Sequence, residues 1–158
     1  MYWEKVFSQY TLRVNMQTLL NKQYWMMIIP AGCLFLIFGL ARQLNLIHPD
    51  QFAMPGVLHA IVFVLSAVTA IAGPLFLRTL FAHSMRNETG ATAKKFWAFQ
   101  TNTLWLSQMT PYLAFIAVFC DFPRFYGGAI VLMALYAVYY FFPSEKRISF
   151  DQRIFRVK

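Results

Sequence analysis

The chain carries its apolar residues in long blocks, separated by short stretches where charge and proline collect. The clearest block is Gly56–Leu77 (GVLHAIVFVLSAVTAIAGPLFL), 22 residues without a formal charge between Pro55 and Arg78. A bilayer core is about 30 Å thick and a helix rises about 1.5 Å per residue, so about 20 apolar residues cross it. A soluble core helix needs only one apolar stripe. The block predicts a transmembrane helix over 56–77, its helix continuing past Arg78 to about residue 90, where Gly90 is a natural terminator.

Three further blocks fit around it. The first runs over 24–47, opening on Tyr24 and Trp25 at headgroup level, with Pro30 as a bend and Gly32 and Gly39 as points of close approach. The connection 48–55 (HPDQFAMP) is turn chemistry. The block 96–120 is the most polar, holding Gln100, Asn102, Ser107, Gln108 and Pro111. After the tight connection 121–124, the block 125–142 ends in an aromatic belt of Tyr136, Tyr139, Tyr140, Phe141 and Phe142 before Pro143. Residues 1–23 lack the order of a signal peptide. Trp3, Phe7, Tyr10 and Val14 recur at helical spacing, which suits a helix lying in the interface, although VFSQYTLRV also fits an extended segment. The tail 143–158 is polar and basic.

Composition agrees with a membrane solvent. Of 158 residues, 59% are hydrophobic and 13% charged, where an average soluble domain holds roughly 25% charged. The net charge of +8 would suggest nucleic acid in a soluble protein, but its distribution points elsewhere. Lys and Arg number three in 1–23, four in 78–95 and five in the tail, twelve in all, against only Arg42 and Arg124 in the two opposite connections. The positive-inside rule then places both termini in the cytoplasm. The expected fold is an all-α integral membrane protein, a single membrane domain of four transmembrane helices as two hairpins, with an N-terminal interfacial helix. The expected location is a bacterial inner (cytoplasmic) membrane. Nucleic acid is not an expected partner.

Three groups of residues are candidates for a site. Gln100, Thr103, Ser107 and Thr110 share one face of the third span, because they fall at i, i+3, i+7 and i+10. Polar groups in hydrocarbon need partners, so this face turns inward, towards Ser66 and Thr69 of the second span. It is either a seam of interhelical hydrogen bonds or the lining of a solute or ion path. The second group is the tail, where Ser149 and Gln152 have capping-box spacing and Phe150, Arg153, Ile154 and Arg156 mix apolar and basic side chains. A short strand also fits there. In either form the tail is a candidate docking segment, on a partner protein or on anionic headgroups. The third is His59, which could join His48 on the outer side in a metal or haem site. His83 lies 24 residues on, roughly 36 Å along a helix, and is out of reach.

No Ser-His-Asp order, HExxH, CxxC or glycine-rich phosphate loop occurs, and Cys33 and Cys120 stand in apolar segments. No catalysis, cofactor or metal is expected. The leading functional expectation is a non-catalytic accessory, assembly or stabilising subunit of a larger membrane complex, with the bilayer and other subunits as partners. The alternative is an oligomeric channel or carrier using the polar face of the third span. A haem-binding electron-transfer subunit ranks third.

Overall fold

A computed structural model describes the backbone of residues 2–46, 55–86 and 90–157, and side chains from Met16 on. Its elements are α1 Tyr2–Gln43, α2 Gly56–Ala67, a π-turn Val68–Ala72, α3 Gly73–Ser84, α4 Ala93–Phe119, α5 Arg124–Tyr140 and α6 Glu145–Ile154. No strand occurs among the described residues. The fold is all-α.

Several predicted boundaries move: α1 ends at Gln43 and not at 47, and α3 stops at Ser84, short of residue 90. Residues 2–23 are the opening turns of α1, which runs unbroken into the first apolar block, so they form no separate interfacial helix. Pro30, Gly32 and Gly39 are the weak points of Tyr2–Gln43, and the helix runs through all three. In the tail the cap is Ser144, whose Oγ accepts from the Arg147 N–H at 3.4 Å. Ser149 lies inside α6 and donates to the Lys146 carbonyl at 2.9 Å. Pro143 cannot continue α5, and the serine after it starts a new helix, five residues before the predicted cap.

Met16–Gln43 (28 residues) and Gly56–Ser84 (29 residues) are each long and apolar enough to cross a bilayer, and the protein is integral to a membrane on that evidence. A third crossing follows if α5 and α6, bent by 77° relative to each other, are taken as one span. The 27 residues of α4 give ample length, but its polar side chains lower its hydropathy. At 17 residues, α5 is at the short limit for a spanning helix.

α4 is the hub. It packs against α1, α2, the π-turn, α3 and α5. Ties at both ends fix how the helices alternate. At one end Arg42 and Asp121 approach to 3.5 Å. At the other the Ala91 N–H donates to the Phe155 carbonyl at 3.0 Å, and Met16 and Leu20 of α1 share a core with Phe96, Ile148 and Phe155. The tail, the α3–α4 connection and this part of α1 therefore lie together. Three helices end in the same way, with Asn45, Asp121 and Arg156 at positive φ. In each the next N–H reaches back five residues, as from Phe122 to the Ala117 carbonyl at 3.0 Å.

The π-turn has a local cause. Pro74 has no N–H, and in a regular helix its ring would strike the carbonyl of Ala70. The chain widens instead, and the Gly73 N–H reaches the Val68 carbonyl. Ala70 is thereby packed with Ala137 of α5 and Phe141 in a fully buried cluster. Gly73 faces α4 so closely that a Cβ there would stand 2.5 Å from Leu106 Cδ2 and 3.0 Å from the Val68 carbonyl oxygen. Gly73→Val is expected to lower the melting temperature in detergent, at a cost of ~1–3 kcal/mol from overpacking, and Leu106→Ala in the same chain should recover part of it. Gly39→Ala, with nothing within 4 Å of its Cβ position, is expected to be neutral.

Candidate functional site

The polar face of α4 is buried. Thr103, Ser107 and Thr110 are closed off from the surface, as are Ser66 and Thr69 opposite them. One hydrogen bond joins the two rods, between Thr69 Oγ1 and Thr110 Oγ1 at 3.0 Å. The other hydroxyls turn back onto their own helices: Ser66 donates to the Val62 carbonyl at 2.8 Å, Thr103 to Phe99 at 2.8 Å and Ser107 to Leu104 at 3.0 Å. Such back-bonds satisfy a hydroxyl without a second helix. Gln108, off the predicted line, is 1% exposed and neither of its amide atoms is hydrogen-bonded.

Gln100 leaves the seam for another group. Its Nε2 donates to Asp151 Oδ2 at 3.0 Å, while Arg78 Nη2 donates to Asp151 Oδ1 at 2.9 Å. Asp151 is 4% exposed and Arg78 35%, so α6 is held to α3 and α4 through one buried carboxylate. Arg147, one helical turn before Asp151, donates through Nη1 to the Tyr140 carbonyl. Its guanidinium lies 5.0 Å from the Tyr140 ring centroid and 4.8 Å from that of Phe141, within cation–π range. Burial pushes the Arg147 pKa below its ordinary value, Asp151 and Tyr140 oppose that shift, and Arg78 adds to it. An arginine remains charged throughout. These groups enclose a cavity of about 140 Å³, floored by Ala70, Pro74 and Thr103.

This cluster completes the end of α5. The last carbonyls of a helix have no partners within it. Here those of Ala137 and Tyr139 accept from the Phe141 and Phe142 N–H groups. Val138 accepts from the Tyr24 hydroxyl at 2.8 Å, and Tyr140 accepts from Arg147. A cation at a helix C-terminus is also favoured by the helix dipole.

The predicted docking tail divides by face. Ile148, Asp151, Gln152 and Phe155 pack onto the bundle, and Gln152 Nε2 lies 3.9 Å from Met16 Sδ. Phe150 (59% exposed) and Ile154 (49%) look outward, together with Arg153 and Arg156. His59 packs its ring against Phe122, with centroids 4.4 Å apart, and lies 6.3 Å from Tyr126. His48 lies outside the described residues. Among the described residues no three His, Cys, Asp or Glu side chains gather where a metal could sit.

No protein-family model, curated protein or solved structure matches the chain.

Sequence reasoning passed over Arg147, Asp151 and Tyr140 as site residues. The available signal is the i, i+4 spacing of Arg147 and Asp151 in the tail. Two expected outcomes follow. Asp151→Asn should destabilise the bundle by about 1–2 kcal/mol, because a charge-assisted bond is lost while the half-exposed Arg78 regains water. Hydrogen exchange should rise first in 145–154. Thr69 Oγ1 also lies 3.0 Å from the Leu65 carbonyl and 3.2 Å from that of Ser66, so Thr110→Val should cost little. Thr69→Val, which strands the buried Thr110 hydroxyl, should cost about 1 kcal/mol or more and be partly rescued by adding Thr110→Val.

Proposed function

We propose that the chain is a four-span membrane protein with both ends on the cytoplasmic face, acting as a non-catalytic accessory subunit of a larger membrane complex. The alternation of ends supports the topology. The basic tail and the α3–α4 connection meet at one end through Ala91 and Phe155, with Arg42 and Asp121 at the other. With α4 and α5 as spans, the twelve basic residues counted in the sequence fall on the first side and two on the second. Thr103, Ser107, Gln108 and Thr110, in the middle of α4, are covered by its neighbours, and Asn102 stays exposed, so the middle of α4 can cross as part of the bundle.

The observation that carries the accessory role is the two-sided build of α6. Its inner face is clamped to the bundle by Asp151, Ile148 and Phe155, and its outer face presents Phe150 and Ile154 between Arg153 and Arg156. Apolar side chains held outward on a fixed platform lose little freedom on docking, which favours a protein partner. The hydroxyls of the seam, bonded back to their own helices, weigh against a solute path along α4.

Two measurements test the reading. In a background without Cys33 and Cys120, a cysteine at Thr92 should be shielded from an impermeant thiol reagent in intact cells, and one at Gln51 should react. The reverse pattern overturns the orientation. On a native gel in mild detergent the wild type should run within a larger assembly. Phe150→Ser with Ile154→Ser should release it while leaving it in the membrane, and Arg153→Gln with Arg156→Gln should do less. A wild type that runs alone or as a homo-oligomer defeats the accessory role.

A further inference from the structure

The cavity beside α6 carries more charge than it balances. Arg78 and Arg147 both line it, and Asp151 is the one carboxylate of the lining. The bond at 2.9 Å commits Asp151 to Arg78, and Arg147 is left with a carbonyl and two aromatic rings. The site holds one net positive charge in partly dry surroundings, where an anion gains more than it would in water.

Volume and mouth restrict what the anion can be. About 140 Å³ is below the roughly 300–1,000 Å³ of pockets that enclose a whole small molecule. Only a compact charged group fits, and the rest of its carrier must lie outside. The exposed members of the lining are Ile71, Leu75, Tyr136 and Tyr140, all apolar or aromatic, on the outward flanks of the π-turn, α3 and α5. Tyr136 and Tyr140 stack at 5.1 Å between centroids. Tyrosines of this kind favour the headgroup level of a bilayer, where one end of the ring is apolar and the other wet. Basic pockets between helices on the cytoplasmic side suit lipid headgroups.

We propose that this cavity binds the phosphate of an anionic phospholipid, which enters sideways between α3 and α5 with its acyl chains along Ile71 and Leu75. Arg147 is the principal contact, because Asp151 pairs directly with Arg78 and acts on Arg147 only from further away, and Arg78 assists. The inference rests on the placement of these helices in a bilayer and not on the accessory role.

The test uses the full chain in mild detergent, with phosphatidylglycerol or phosphatidylcholine added and both melting temperature and native mass spectra recorded. Phosphatidylglycerol should raise the melting temperature and remain bound in the spectra, and phosphatidylcholine should do neither. Arg147→Gln should raise the half-saturating phosphatidylglycerol concentration about tenfold or more, the loss expected for a charge-assisted hydrogen bond. Arg153→Gln removes the same charge from the exposed face of the same helix and should change it by less than about twofold. Leu75→Trp, which fills the mouth without altering charge, should also weaken binding. Equal losses from the two arginine variants would make the attraction a diffuse surface effect and overturn the site. Protection by inorganic phosphate equal to that by phosphatidylglycerol would assign the cavity to a free phosphate and overturn the lipid. If Arg147→Gln fails to fold, Leu75→Trp decides, and an undiminished preference for phosphatidylglycerol there overturns the proposal.

Discussion

Hydrocarbon offers no hydrogen-bond partner, and that single fact decides where α4 must stand. Thr103, Ser107, Gln108 and Thr110 would face lipid if it lay at the edge of the bundle. Placed at the centre, it is covered by every other long helix, and Thr103, Ser107 and Thr110 lose their contact with the outside. The apolar residues then go where a membrane protein can put them. Leu36 and Ile37 of α1, Leu75 and Phe76 of α3, and Leu132 and Leu135 of α5 all remain exposed, which a bilayer tolerates and water would not.

Small residues let this arrangement close. Ala70 and Ala137 are fully buried, and Gly73 leaves just enough room for Leu106. Tyrosines do a second job. Tyr24 donates to Val138 of α5, and Tyr112 donates to Met27 of α1 at 2.6 Å. Each hydroxyl crosses between helices to a backbone oxygen, so α1 is joined to both α4 and α5 by groups whose rings are otherwise apolar.

Much of this was legible in the sequence, because block length and charge placement are large, additive signals. The long uncharged run after Pro55 marked one spanning rod, and the hydroxyls of Thr103, Ser107 and Thr110 marked the buried face of α4. Less legible was what depends on which polar group wins a partner. Gln100 falls on the same line as Thr103, yet its longer side chain reaches Asp151. Ser149 has the spacing of a cap, but Ser144 directly follows a helix-breaking proline and takes that role. The length of α1 was missed because interfacial and spanning helices carry similar local patterns, and only continuity tells them apart. The Arg147–Asp151 cluster was missed because its value comes from α3, α4 and α5, which the tail sequence does not mention.

The π-turn also sets an angular register. Closing a turn with one residue more than an α-helix uses inserts about one residue's worth of rotation, roughly 100° around the rod. The half of the rod below the turn points Ser66 towards α4 and the half above it points Arg78 at α6, and a uniform helix of the same sequence could not do both. The widened turn works as a fixed twist between a hydroxyl-bearing half and a charge-bearing half. Deleting one residue from 68–72 would remove the bulge and leave both faces in place, whereas replacing Pro74 so that the full sequence winds as a uniform helix would swing the guanidinium of Arg78 away from the carboxylate that holds α6 in place.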